Sequence, residues 1–234
     1  MPFTDQSAFD IRCEWGTDGV AALAGCRTFI VIDVLSFSTC VSVAASRNVA
    51  VFPYHYKDES AIAFAAAHDA VLAGKRGELY SLSPASLLNA PAGMRVVLPS
   101  PNGATICLEA GHRGHVLAGC FRNRRAVCER AMVLGGPFAL IPAGERWSEG
   151  TLRPSWEDLA GAGAIAALLP GTRSPETAAV IAVFESASSS LADTLRACSS
   201  GRELIEWGFA DDVRLAGELD VDRHSPLLIN GVFR

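Results

Sequence analysis

The sequence lacks any long hydrophobic run. The longest weakly polar stretches, 159–170 and 178–184, fall well short of the ~20 apolar residues that a membrane-spanning helix requires. It also lacks an excess of positive charge: 20 Lys and Arg stand against 25 Asp and Glu, for a net charge of −5. The basic footprint of a nucleic-acid-binding protein is therefore missing, apart from one local cluster at Arg122, Arg124 and Arg125. The opening residues carry Asp5 and Asp10 and no basic segment followed by an apolar run, so no secretory signal is expected. None of the seven cysteines sits in a C-x-x-C pair, and buried, reduced thiols of a cytoplasmic protein are expected. His112 and His115 are spaced H-x-x-H, but Gly111 and Gly114 flank or separate them, which argues against a zinc-binding helix. The phosphate loop G-x-x-x-x-G-K-[ST], a G-x-G-x-x-G after a strand and the hydrolase elbow G-x-S-x-G are all absent. Asp220-Val-Asp222 has the D-x-D spacing of an aspartyl nucleophile, but no apolar strand precedes it.

What is present is a core. Half of the residues are hydrophobic and 19% are charged, which excludes disorder and predicts a single domain spanning 1–234, with roughly 70–75% of the unfolded surface buried. Continuous apolar runs predict strands at 28–34, 49–54, 94–100, 115–119, 138–143 and 178–184. Between and after them, helices are expected at 36–46, 59–73, 104–110, 123–133, 155–169, 191–197, 201–207 and 211–218, several ending at Gly or Pro. This alternation predicts an α/β fold: a mostly parallel sheet covered by helices on both faces. Residues 146–154 read as a long irregular loop.

In such folds ligands bind beyond the carboxyl ends of the strands. There the sequence places Asp33, then Ser36, Ser38 and Thr39; Ser100, Asn102, Gly103 and Thr105; Asn123; and Gly144-Glu145. Hydroxyls and helix N-termini suit an anion, whereas Asp33 suits a divalent cation or a proton. A carboxylate ending so apolar a run is costly unless paired or metal-bound. Simple helix capping competes with function at Ser36 and Ser38, and a plain turn competes at Asn102-Gly103. Ser155 to Asp158 reads as a capping box, and Asp211-Asp212 open a further helix. Gly161 and Gly163 inside a helix each cost ~1 kcal/mol relative to Ala, which points to close approach of backbone or ligand.

These same residues resemble the 2-phosphosulfolactate phosphatases, the ComB-like proteins of coenzyme M biosynthesis. Val31-Ile-Asp33-Val-Leu35 with Ser38-Thr39 is similar to the family's aspartate followed by V-L-R-A-T-T. Gly77-Glu78, Ser83-Pro84, Asn102-Gly103, Gly119-Cys-Phe121-Arg-Asn123 and Ile141-Pro-Ala-Gly144 resemble later family elements. So do Glu157-Asp158 with Gly161-Ala-Gly163, and Gly208 with Asp211-Asp212-Val213. The matches run in order from about residue 30 to residue 220.

The resemblance implies a three-layer α/β/α domain and Mg²⁺-dependent hydrolysis of a phosphate monoester on a small sulfonated or carboxylated acid. It implies Asp33, Asp158 and Asp212 as catalytic acids, with Asp33 and Glu78 on the metal. Ser38, Thr39, Ser100, Asn102, Gly103 and Asn123 are expected to bind the small anionic phosphorylated substrate. Where the family has arginine after D-V-L, this chain has Ser36, followed by Phe37 in place of alanine. An arginine there would clamp a phosphate bidentately. Arg122 or Arg146 is the expected replacement, unless the substrate has changed or activity is lost. Asp33→Asn is expected to abolish turnover with the fold intact. The alternatives are a non-catalytic small-anion binder and a nucleotide-binding α/β enzyme. Neither nucleic acid nor membrane is expected as a partner, and a homo-oligomer stays open.

Overall fold

The computed structural model describes residues 3–56 and 58–234. Its strands in chain order are β1 (Ile11–Cys13), β2 (Thr28–Ile32), β3 (Ala50–Tyr54), β4 (Val71–Leu72), β5 (Arg95–Pro99), β6 (His115–Gly119), β7 (Phe138–Pro142), β8 (Glu145–Arg146), β9 (Leu152–Arg153), β10 (Leu228–Ile229) and β11 (Val232–Phe233). Its helices are α1 (Gly16–Ala22), α2 (Phe37–Ser46), α3 (Glu59–Ala67), α4 (Pro84–Leu87), α5 (Gly103–Gly111), α6 (Arg124–Leu134), α7 (Trp156–Ala166), α8 (Pro175–Ala187), α9 (Leu191–Ala197), α10 (Ser199–Glu206) and α11 (Ala210–Ala216).

The central sheet has the order β1-β7-β2-β6 and is parallel throughout. Strand β2 shows why its sequence is continuously apolar, since all its residues are buried. Phe29 and Val31 enter one core with Phe37, Val41 and Ile106. Ile30 and Ile32 enter the other with Leu140, Ala160 and Ile165. Successive side chains point to opposite faces, so a strand covered on both sides has no polar face. Helices α6, α7 and α8 lie on one face and α1, α2 and α5 on the other, giving the three-layer α/β/α arrangement. A second sheet, β10-β11-β3-β5-β4, shares α2 and α5 with the first. Strands β3, β5 and β4 are parallel there, and the β10–β11 hairpin joins antiparallel. Its outer face packs Phe52 and Val97 against Ala65 of α3.

Several elements differ from the sequence reading. The run 178–184 is not a strand but the middle of α8. Pro175 opens this helix and the Ser174 hydroxyl accepts from the Thr177 N–H, a combination that favours helix over strand. Its buried residues Thr177, Val180, Ile181, Phe184 and Ala187 recur at helical spacing. Residues 59–73 do not form one helix; α3 ends at Ala67, Asp69 takes a left-handed φ of 48°, and the chain continues as β4. Residues 146–154 are not one irregular loop, because Glu145 and Arg146 pair with Arg153 and Leu152 in a hairpin that leaves 147–151 as its tip. The glycines of α7 serve packing: a Cβ at Gly163 would run into the Val180 carbonyl of α8, and one at Gly161 would lie 2.8 Å from Ile32 of β2. All seven cysteines are free, and all but Cys198 are buried. Among the described residues no helix is long and apolar enough to cross a membrane.

Candidate active site

Asp33 stands at the carboxyl end of β2 and is buried. The Phe37 N–H donates to its Oδ1 at 3.0 Å and the Gly103 N–H donates to its Oδ2 at 2.9 Å. The carboxylate thus joins the first turns of α2 and α5, where positive helix-dipole ends favour it. Gly103 is obligatory here, since a Cβ would lie 2.6 Å from Asp33 Oδ2 and 2.7 Å from the Phe37 ring. Burial nonetheless pushes the Asp33 carboxyl up; the two N–H donors oppose the rise, Glu157 adds to it, and Arg76 counters it. The turn leaving β2 is fixed by Ser38, whose hydroxyl accepts from Asp33 N–H and donates to the Val31 carbonyl. The Thr39 hydroxyl donates to the Val34 carbonyl. Ser38 and Thr39 therefore shape the site through the backbone.

Asp158, at the start of α7, does not form the expected capping box. Its Oδ1 accepts from Val34 N–H at 2.7 Å, and its Oδ2 accepts from Gly144 N–H at 2.8 Å and the Ser155 hydroxyl at 2.9 Å. It latches the ends of β2 and β7 together. Burial, reinforced by the charges of Glu157 and Asp33, holds its carboxyl well above the usual range. Two further acids complete this cluster. Glu157 is buried beside it. Glu145, directly after Gly144, accepts from the Asn102 amide at 3.0 Å. Burial and then the charge of Asp33 push Glu145 up to about 7.

Asp212 faces inward from α11. Its Oδ1 accepts from the Ser83 hydroxyl at 2.7 Å and Ala85 N–H at 3.0 Å, and its Oδ2 accepts from Arg76 Nη1 at 2.9 Å. Arg76 Nη2 donates to the Ser36 hydroxyl at 3.0 Å, and the guanidinium lies 5.6 Å from the Phe209 ring centre. The Arg76 side chain keeps 20% of its surface exposed. A guanidinium thus reaches the place of Ser36, but from the loop after β4. The two expected replacements are engaged elsewhere. Arg122 is tied to Asp222, Glu218 and the Leu215 carbonyl, and Arg146 donates to the Gly150 carbonyl within its own hairpin.

Among the described residues no hydrogen bond links the other expected residues to Asp33, Asp158 or Asp212. Asn123 is fully buried and wired to Cys120 N–H and the Ala118 carbonyl. Glu78 is exposed in the loop after β4. Ser100 is buried at the end of β5, where its N–H donates to the Tyr54 carbonyl. Asp220 and Asp222 are ion-pair partners of Arg124, Arg125 and Arg122. Burial holds the Cys40 thiol well above its ordinary value, so it carries no reactive thiolate.

Among the described residues no group of three or more His, Cys, Asp or Glu is placed to cage a metal. Mg²⁺ does not need such a cage; it is commonly held by one or two carboxylates, waters and the substrate phosphate. Asp33 and Glu145 fit that pattern, since burial pushes both carboxyls up and a cation beside them would relieve it. Asp158 and Asp212 each accept from three protein donors, against two at Asp33 and one at Glu145, so the last two keep more free lone pairs.

Comparison with known proteins gives a consistent picture. The family model described as 2-phosphosulpholactate phosphatase matches residues 19–231. A protein of Carboxydothermus hydrogenoformans is 28% identical over 204 residues, 83% of each chain. One from Deinococcus radiodurans is 27% identical, covering 86% of this chain and 88% of its own. One from Thermotoga maritima is 28% identical, covering 89% of this chain and 92% of its own. Each of these bears the name "Probable 2-phosphosulfolactate phosphatase".

Proposed function

Since the chain belongs to the 2-phosphosulpholactate phosphatase family, we propose that it hydrolyses a phosphate monoester of a small acidic compound, with 2-phosphosulfolactate as the first candidate. The observation that carries this reading is Arg76. Its part-exposed guanidinium is fixed between Asp212 and Ser36 and acts electrostatically on Asp33. An arginine held in this way offers a pre-oriented fork to a phosphate dianion or a sulfonate.

Each acid then has a distinct role. Asp212 is a positioning residue that orients Arg76. Asp158 is a positioning residue that fixes the backbone carrying Asp33 and Glu145. Asp33 and Glu145 would hold Mg²⁺, which would supply charge neutralisation at the phosphoryl oxygens and a more acidic water. Asn102 steadies Glu145 through its amide. Arg76 binds the transferring group and stabilises the charge that develops on it. The free thiols fit a reducing, cytoplasmic setting.

The test is phosphate release from a panel of small acidic phosphate esters, including 2-phosphosulfolactate, with Mg²⁺ and with the metal chelated. Metal-dependent release is expected. No release from any ester, alongside saturable thermal stabilisation by the same compounds, would contradict catalysis.

A further inference from the structure

A groove of about 820 Å³ opens at the far end of α2 from Ser36, against the starts of β3 and β5. A ten-residue helix rises ~15 Å, so this groove is separate from the Asp33 centre. Four arginines, Arg95, Arg130, Arg223 and Arg234, line it together with His224, and among the described residues no Asp or Glu does. The positive charge of the groove is carried by Arg95, Arg130 and Arg223 even without Arg234.

The other arginines are unpaired in a chain of net charge −5. Among the described residues Arg95, Arg130 and Arg223 take part in no ion pair, whereas Arg122, Arg124 and Arg125 are all matched to acids. Arg95 is held with its guanidinium 5.0 Å from the Phe52 ring centre. Its Nε is buried with no hydrogen-bond partner among the described residues. Like charges gathered without acids call for an anion. Met94, Leu227 and Ile229 add an apolar wall, and the volume lies within the range of small-molecule sites, ~300–1,000 Å³.

We propose that this groove binds a small organic molecule carrying two or more phosphate groups, of the nucleoside diphosphate class. The guanidiniums take the phosphates and the apolar wall takes the organic part. The site is independent of the proposed phosphatase centre.

The test is isothermal titration of the full chain with ADP, pyrophosphate and adenosine in low-salt, metal-free buffer, with hydrogen exchange used to locate the binding. The expected result is saturable binding of ADP, weaker binding of pyrophosphate and none of adenosine. Protection should fall on 93–95 and 223–229. Because Arg130 and Arg223 are exposed, the double variant Arg130→Gln/Arg223→Gln should fold and should raise the ADP Kd at least tenfold. A flat isotherm up to millimolar ADP would overturn the proposal. So would protection confined to 33–38 and 103–106, or a dimer of the free chain that the double variant dissociates. That last result would give the arginines to a second copy.

Discussion

Replacing Glu145 with Gln should stabilise the metal-free protein at alkaline pH and leave it unchanged in acid. The folded state raises this carboxyl from its ordinary 4.5 to about 7, first by burial and then by the charge of Asp33. Below pH 4.5 the group is protonated in both states and contributes nothing. Between pH 4.5 and 7 the unfolded chain ionises while the folded chain keeps its proton, so stability falls as pH rises. By pH 8 the folded form carries the whole penalty. At ~1.4 kcal/mol per tenfold change in proton affinity, the rise corresponds to about 3 kcal/mol. Glu145 keeps some solvent contact, so a screened value of about 1–3 kcal/mol is expected. Gln keeps an acceptor for the Asn102 amide and removes the charge. Urea unfolding of both proteins in metal-free buffer from pH 4.5 to 8.5 measures the difference. It should be near zero at the acid end and favour Gln by about 1–3 kcal/mol at pH 8. A difference that does not change with pH, or a less stable Gln variant at pH 8, would mean that burial does not raise the Glu145 carboxyl.

Gly103→Ala places a Cβ against Asp33 Oδ2 and the Phe37 ring. It should cost about 1–3 kcal/mol in denaturant unfolding as an overpacking change, and its phosphate release should fall with it. Arg76→Ala leaves the buried Asp212 carboxylate without its cation, a loss of about 3–5 kcal/mol. Adding Asp212→Asn should recover part of that loss, so the double-mutant cycle should give a coupling above about 1 kcal/mol. An additive cycle would mean that the pair does not act as a unit.

The layers of this fold are written in its apolar runs. Thr28–Ile32 and His115–Gly119 are strands because both their faces are covered, and continuous hydrophobicity is the signal of that burial. The same signal misleads at 178–184, where a helix packed so tightly on α7 that it requires Gly163 also reads as continuous. The Ser174-Pro175 start carries the distinction. The site is legible only in part. Asp33 stands out because its run is so apolar. Its partner Gly103 lies 70 positions away in sequence, and that pairing is set by helix packing. Glu145 is visible at a strand end, but its raised proton affinity comes from the neighbours that the fold gathers around it. Arg76 sits in a loop between Lys75 and Gly77 with no periodicity to mark it, and Ser36 alone suggests a lost arginine. Asp33→Asn is also a less clean test than its sequence suggests. Both its oxygens accept backbone N–H groups, so the Asn amide would face a donor and weaken the fold as well as the site.

The most direct measurement is steady-state phosphate release from 2-phosphosulfolactate by the wild type and Arg76→Lys, side by side with Mg²⁺. Lysine keeps the charge but loses the fork that spans Asp212 and Ser36. The value of kcat/KM should fall by at least about tenfold, the equivalent of one charge-assisted hydrogen bond. Equal kcat/KM for the two proteins would contradict the assignment of Arg76 as the arginine that binds the transferring phosphate.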